Sequence, residues 1–171
     1  MKFDMHCHTK EGSMDGKVMI EEYIKKLKEK GFGGMLVSDH NSYDGYREWR
    51  DSIKGKNHTD FVVLKGVEYD TIDCGHMLVI MPEGVKLKLL ELRGLPAQIL
   101  IMVVHKYGGI VGPAHPYGEK YLSLIKTQDE KEVSRRTAEK SDGTVRLCGS
   151  FQCLRIRRSE RKGQKAGKEV S

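Results

Sequence analysis

Short apolar runs alternate with helical patterns along the first 125 residues. Apolar side chains in residues 18–30 recur at spacings of three and four, which predicts a helix with one buried face. Capping and stop signals predict two more helices, over residues 42–53 and from about Pro96 to Gly108. The compact apolar runs predict five strands, at residues 2–5, 34–38, 61–67, 77–81 and 110–112. This alternation predicts an α/β fold with a parallel sheet or barrel and helices outside it.

Charge divides the chain into two parts. Residues 1–125 carry 17 basic and 17 acidic side chains, so the whole excess of +6 lies in residues 126–171. That second part contains few large apolar residues, which predicts a poorly ordered basic tail. Nucleic-acid binding by the tail is the alternative, although Phe151 is its sole aromatic residue. We therefore expect a domain at residues 1–125 and a tail at 126–171.

Composition also limits the class of protein. With 38% hydrophobic and 32% charged residues, the chain is typical of a globular protein. Its longest apolar run, residues 99–104, is far shorter than the roughly 20 residues that cross a bilayer. The N-terminus lacks the features of a secretory signal, and the four cysteines form no paired CxxC pattern. We expect a cytoplasmic protein with reduced thiols and no membrane partner.

Histidines and carboxylates mark the ends of the predicted strands. His6 and His8 project to the same side of an extended backbone, where two imidazoles could hold one cation. Imidazole and carboxylate ligands without thiolate favour Zn, Mn or Fe in an open, catalytic site. A single carboxylate there could place one oxygen on each of two ions. The other candidates at strand ends are Asp39, His40, Glu68, His76 and His115, of which His76 opens a strand instead of closing one.

Three further residues receive plainer interpretations. Cys7 faces away from its two histidine neighbours, which favours a buried apolar role over that of a thiolate ligand or nucleophile. His58 lies in a polar loop and is expected to be solvated. His105 lies near the end of a predicted helix, where it can interact with the last carbonyls. None of the three is included in the candidate site.

The order and spacing of these residues resemble the motifs of the PHP (polymerase and histidinol phosphatase) domain superfamily of metal-dependent phosphoesterases. The first motif resembles His6-Cys7-His8-Thr9 with Ser13 and Asp15-Gly16 after it. The later motifs are similar to Ser38-Asp39-His40-Asn41, Gly66-Val67-Glu68, Gly75-His76 and Gly112-Pro113-Ala114-His115-Pro116.

The resemblance implies a distorted (β/α)7 barrel, similar to a TIM barrel, that carries two or three divalent ions of Zn, Mn or Fe. The implied ligand groups are His6, His8 and Glu68 for the first ion; Glu68, His76 and His115 for the second; and Asp15 and His40 for a third. Glu68, His40 and Asp39 are the implied catalytic residues. Asp39 would act by orienting His40 or a bound water.

The resemblance covers about residues 1–122. Family members carry a fourth motif, Asp-x-His, but His115 is the last histidine of this chain. The tail residues Asp129 and Asp142 are followed, at the motif's spacing, by Lys131 and Thr144. We therefore expect an incomplete barrel with a divergent basic C-terminal tail, encoded by a truncated or frame-shifted gene. Its exposed sheet edge could pair with another chain.

These features predict a phosphoesterase that uses a metal-activated water to hydrolyse a nucleotide or a small phosphomonoester. Two alternatives stay open. The chain could be a non-catalytic remnant or metal-binding module, because it lacks the fourth motif. It could also hydrolyse an amide or lactone, since other metal-dependent barrel hydrolases begin with a similar HxH triplet.

Overall fold

The computed structural model describes residues 1–115. Five strands and three α-helices follow one another along this part of the chain. The strands are β1 (Phe3–Cys7), β2 (Gly34–Val37), β3 (Val62–Asp70), β4 (His76–Ile80) and β5 (Ile110–Pro113). The helices are α1 (Ile20–Glu29), α2 (Asp44–Glu48) and α3 (Ala97–Lys106), with a π-helical turn at Trp49–Ile53 and a 3-10 turn at Lys88–Glu91. The tail predicted at residues 126–171 lies outside the described residues.

The sheet is mixed, whereas the sequence pattern predicts a parallel one. The strands lie in the order β1-β2-β3-β4-β5; β1, β2 and β3 are parallel, but β4 is antiparallel to both of its neighbours. Only residues 71–75 join β3 to β4, and so short a loop cannot form the crossover that a parallel pair needs. Thr71 closes this turn by donating its hydroxyl to the Gly75 carbonyl. The parallel prediction is therefore wrong for both pairs that β4 makes.

The direction of β4 explains the position of His76 in the sequence. Because β4 runs opposite to the other strands, its first residue lies at the edge where β1, β2, β3 and β5 end. His76 is paired in register with Asp70, the last residue of β3. Its carbonyl accepts a hydrogen bond from the Ala114 N–H just after β5. One edge of the sheet thus collects all of the candidate residues.

The sheet curls into a half-barrel. Adjacent strands lie about 4.8 Å apart, so β1 and β5 would be about 19 Å apart in a flat sheet of this order. Nevertheless, the rings of His6 in β1 and His115 after β5 stack with their centroids 6.0 Å apart. A mixed α/β half-barrel is therefore confirmed for residues 1–115. The seven-unit barrel stays a prediction, because its remainder lies outside the described residues.

Two apolar clusters hold the strands in place. The first packs α1, α2 and the π-helical turn against β1 and β2, and α1 contributes Ile20, Ile24 and Leu27 at helical spacing. The second packs α3 against β3 and β4, with Leu100 and Val104 fully buried. Burying one such side chain contributes about 2 kcal/mol, so these contacts fix the strand ends that carry the site.

Two helix boundaries differ from the sequence prediction. The helix predicted at residues 18–30 begins at Ile20, whose N–H donates to the Glu11 carboxylate. The helix predicted at residues 42–53 divides into α2 and the π-helical turn, and its N-cap residue is Tyr43 instead of Ser42. Within residues 1–115, no helix combines the length and apolar character that crossing a bilayer would require.

Candidate metal centre

Glu68 lies at the centre of the cluster. Its side chain is 1% exposed, although it lies only two residues from the end of β3. The Oε2 atom is 2.8 Å from Nε2 of His6 and 2.8 Å from Nε2 of His8. These two imidazole nitrogens are themselves 2.9 Å apart. The structure therefore brings together the three residues predicted to hold the first ion.

The other carboxylate oxygen of Glu68 faces a second pair of imidazoles. Its Oε1 atom is 2.9 Å from Nε2 of His115 and 3.1 Å from Nδ1 of His76. Those two ring nitrogens are 3.2 Å apart. Glu68 thus presents one oxygen to each of two histidine pairs, which is the arrangement of a carboxylate that bridges two cations.

Asp15 and His40 form a third group with His8. Asp15 Oδ1 is 3.1 Å from Nδ1 of His8, and Asp15 Oδ2 is 3.7 Å from Nε2 of His40. The same nitrogen of His40 is 3.6 Å from Oε2 of Glu68. His8 therefore directs one ring nitrogen toward Glu68 and the other toward Asp15. All seven predicted ligands lie in groups whose ligand atoms are within 4.8 Å of one another.

Asp70 belongs to this cluster, although the sequence analysis missed it. Its Oδ1 atom is 3.1 Å from Nδ1 of His40 and 3.4 Å from Nε2 of His76. In the rings of His40 and His76, Asp70 thus contacts the nitrogen that does not face Glu68. Residues two apart on a strand share a face, so the Glu68-Tyr69-Asp70 spacing was the signal that could have found it.

Asp39 lies beneath the cluster, among backbone groups. Its carboxylate accepts hydrogen bonds from the Thr9 N–H at 2.6 Å and the Thr9 hydroxyl at 2.8 Å. A Cβ added at Gly12 or Gly45 would lie within 2.4 Å of its Oδ2 atom, so the loop at Gly12 and the first turn of α2 at Gly45 both need glycine for their close approach. Burial raises the pKa of Asp39, and the Thr9 hydrogen bonds partly offset this shift. The predicted role of Asp39 in orienting His40 or a water stays a prediction.

The charges of the cluster favour an ionised Glu68. Burial by itself would raise the pKa of Glu68, but the hydrogen bonds from His6 and His8 outweigh it and hold the pKa well below its usual range. Burial lowers the pKa of His76, which favours the neutral ring that can bind a metal. Burial by itself would lower the pKa of His8, but the contacts with Glu68 and Asp15 outweigh burial and raise the pKa overall.

The donor set suits divalent transition metals. Two imidazole nitrogens lie within 3.1 Å of the buried Oε1 atom of Glu68. Even so, this oxygen accepts no hydrogen bond from any group within residues 1–115. A buried carboxylate oxygen without a hydrogen bond is costly unless a cation satisfies it. The surrounding ligands are imidazole and carboxylate, which Zn, Mn and Fe accept. The residues present therefore fit the implied ions.

An open cleft of about 710 Å³ adjoins the cluster. Asp15, His40 and Asp70 form one side of it, and the segment around Arg93 forms another. A volume of this size accommodates a small organic ligand. The cluster of histidines and carboxylates is therefore accessible from solvent on the side where Asp15 and His40 lie.

Comparison with known proteins identifies the class to which this histidine and carboxylate centre belongs. The PHP domain family matches residues 4–169, which is most of the chain, and the chain is a member of that family. The matched range continues into residues 126–169, which the sequence analysis assigned to the tail. The predicted boundary at residue 125 lies outside the described residues and stays a prediction.

One curated relative is the PolC-type DNA polymerase III of Thermotoga petrophila. It is 23% identical over 150 residues, which cover 81% of this chain but only 10% of the polymerase. The chain thus spans about a tenth of the length of that relative.

Solved structures overlap parts of the chain, each with a TM-score of 0.40. A protein from Bifidobacterium adolescentis, assigned as a metal-dependent phosphoesterase, is 24% identical and covers 46% of this chain and 27% of its own. An amidohydrolase from Chromobacterium violaceum is 17% identical, and the match covers 50% of this chain and 30% of the amidohydrolase. A two-domain protein from Bacteroides vulgatus, described as containing a PHP-like metal-dependent phosphoesterase, is 16% identical. That match covers 64% of this chain and 33% of the two-domain protein.

Proposed function

We propose that this chain is a metal-dependent phosphoesterase whose substrate is a nucleotide or a small phosphomonoester. The observation that carries the proposal is the buried Glu68 carboxylate, which presents one oxygen to His6 and His8 and the other to His76 and His115. Membership of the PHP domain family supports the same chemistry.

The residues of the cluster would divide the work between holding ions and orienting ligands. Glu68 and its four neighbouring histidines would hold two divalent ions, and Asp15 with His8 and His40 would hold a third. Such ions supply an activated water and offset the negative charge of a phosphoryl group. Asp70 would fix the orientation of the His40 and His76 rings through their second nitrogens, as a carboxylate beside a metal ligand commonly does.

The cleft provides the features that a phosphoester requires. It borders the cluster at Asp15, His40 and Asp70, so a substrate there would lie against the ligand groups. Arg93 lies on its wall, where a guanidinium could pair with phosphate oxygens. Nucleotides and sugar phosphates have sizes that suit a cavity of this volume. We therefore place the substrate in this cleft.

Metal content per chain tests the first half of the proposal. We expect elemental analysis of the monodisperse 171-residue protein to find about two to three ions of Zn, Mn or Fe, two of them at the bridging carboxylate. Glu68→Gln keeps the side-chain volume but removes the bridging charge, and it should reduce metal affinity at least about a hundredfold. His105→Gln, which removes an exposed histidine outside the cluster, is the matched control.

Hydrolysis assays test the second half. The metal-loaded protein and the His105→Gln control should hydrolyse p-nitrophenyl phosphate, whereas Glu68→Gln should not. Bound metal with turnover of an amide or lactone, but of no phosphoester, would replace the proposal by the hydrolase alternative. A well-folded protein without stoichiometric metal would favour the non-catalytic alternative instead.

A further inference from the structure

A second pocket lies on the opposite side of the sheet from Glu68. Lys65 precedes Glu68 by three positions on β3, and side chains an odd number of residues apart point to opposite faces of a strand. Lys65 lines a cavity of about 180 Å³ between α2, the π-helical turn and the segment that joins β4 to α3. This Lys65 pocket is separate from the metal-ligand groups, although Glu91 borders both cavities.

The Lys65 pocket is strongly basic. Its charged lining consists of five cations and one carboxylate, which are Arg47, Arg50, Lys65, Lys86, Lys88 and Glu91. The side chain of Lys65 is 8% exposed; its ammonium donates a hydrogen bond to the Val85 carbonyl and lies 4.7 Å from the centre of the Tyr43 ring. An ammonium group buried to this extent normally has an acidic partner.

Acidic neighbours compensate only two of these cations. Arg47 pairs with Asp44 and Glu91, and Arg50 pairs with Asp51. Within residues 1–115, none of the three pocket lysines forms an ion pair. Burial lowers the pKa of Lys65, and the charges of Arg50 and Arg47 lower it further, which outweighs the opposite effect of Glu91 and Glu83. The chain has thus gathered like charges around a buried ammonium.

An unused hydrogen-bond donor lies in the same wall. Tyr43 is 4% exposed, and its buried hydroxyl has no hydrogen-bond partner within residues 1–115. Burial raises the pKa of Tyr43, and the nearby charge of Glu91 adds to this effect, so the hydroxyl keeps its proton at neutral pH. A buried hydroxyl without a partner is unfavourable, and an acceptor bound in the pocket would supply the missing hydrogen bond.

We propose that the Lys65 pocket binds a phosphate-type oxyanion. The anion would compensate Lys65 and the neighbouring cations Lys86 and Lys88, which form no ion pair within residues 1–115, and it would accept a hydrogen bond from Tyr43. The cavity is smaller than the roughly 300 Å³ at which sites for drug-sized ligands begin, which suits a single phosphate group. This site does not depend on the metal centre or on the function proposed for it.

Phosphate binding by the chelator-treated, full-length protein tests this site without interference from metal. Isothermal titration with inorganic phosphate should give saturable binding of one anion, and Glu68→Gln should bind it equally well. Lys86→Gln combined with Lys88→Gln removes two exposed cations of the pocket that have no ion-pair partner in the described part of the chain, and it should weaken binding about tenfold or more. Tyr43→Phe should weaken it about fivefold, because it removes only one neutral donor.

Lys30→Gln is the matched control, since it removes an exposed charge that does not line the pocket. The site is supported if phosphate affinity is unchanged in this control and is lost in the variant that lacks both Lys86 and Lys88. Equal loss in both, or no saturable binding by the chelator-treated protein, overturns it. A parallel titration with glycerol phosphate identifies the source of the anion: tighter binding than inorganic phosphate indicates a phosphate group of a larger molecule, and weaker binding indicates the free ion.

Discussion

Glu68 and Lys65 are buried charges three residues apart on β3, and their surroundings differ in sign. The carboxylate of Glu68 faces four imidazoles at 2.8 to 3.1 Å, and the hydrogen bonds from His6 and His8 favour its ionised form. The ammonium of Lys65 lies near two guanidinium groups and has no ion-pair partner within residues 1–115. One strand therefore carries one charge that the fold stabilises and one that it penalises, and each points to a ligand of opposite sign.

The largest expected effect follows from neutralising the stabilised charge. In chelator-treated protein at pH 6 to 7, Glu68→Gln should lower the free energy of unfolding by about 2 kcal/mol, because His6 and His8 lose a charged acceptor. The pKa of Glu68 is lower in the folded chain than its usual value of 4.5. Its contribution is therefore complete above about pH 4.5 and disappears as the pH falls through the folded pKa. Urea denaturation across this range measures the difference.

Glu29→Gln is the control for that measurement, since Glu29 is an exposed carboxylate at the end of α1. Its effect should be below about 0.5 kcal/mol. A difference between wild type and Glu68→Gln that grows as the pH falls below 4.5 would contradict the assignment of a lowered pKa to Glu68.

A smaller effect is expected at Asp70, which contacts two rings of the cluster but not Glu68. Asp70→Asn keeps the shape but weakens the acceptor that faces His40 and His76, so metal affinity should fall about tenfold, with the protein still folded. Competition with a chromophoric chelator measures this change. Ring-nitrogen chemical shifts of the two histidines should change as well, because their preferred tautomers depend on this contact.

Asp73→Asn provides the matched control for Asp70. Asp73 accepts a hydrogen bond from the Ala97 N–H at the start of α3, 2.9 Å away, so its loss should cost about 1 kcal/mol of stability. It should leave metal affinity unchanged. Equal losses of metal affinity in both variants would mean that Asp70 acts only through stability.

The sequence predicted which histidines and carboxylates lie together better than it predicted the sheet that assembles them. His6, His8 and His115 follow from their positions at the ends of apolar runs, because ends of strands gather at one edge. Periodicity does not report strand direction, so the sequence alone placed His76 at the start of its strand, away from the other candidate residues. Because β4 is antiparallel to β3, that start lies at the same edge of the sheet as the other residues. The five-residue connection at 71–75 was the available signal, since it is too short for a parallel crossover.

Other features had weaker signals, or none, in the local sequence. Asp70 could have been found from its spacing to Glu68, because strand residues two apart share a face. The Lys65 pocket could not have been found from the local sequence, because it forms only when the segment carrying Val85 and Glu91 packs beside α2. A lysine in an apolar strand gives no local indication of which distant cations will surround it.

The smallest predicted effect has the opposite sign to that of Glu68. Lys65→Met should raise the free energy of unfolding at pH 7 by about 1 kcal/mol in phosphate-free buffer, because it replaces a penalised charge with an apolar side chain of similar length. The pKa of Lys65 lies below its usual value of 10.5, so the folded chain releases this proton first as the pH rises. The penalty is complete below the folded pKa and disappears toward pH 10.5. The advantage of Lys65→Met should therefore narrow over that range in urea denaturation.

Added phosphate should reduce the difference in free energy of unfolding between Lys65→Met and the wild type at pH 7. An anion in the Lys65 pocket stabilises the wild type more than it stabilises Lys65→Met. Lys30→Gln, measured in parallel, should show neither the gain nor its dependence on phosphate. If Lys65→Met instead destabilises the protein at neutral pH, the hydrogen bond to the Val85 carbonyl and the contact with the Tyr43 ring outweigh the charge penalty. The contrast in sign between the two faces of β3 would then be wrong, even if phosphate still binds.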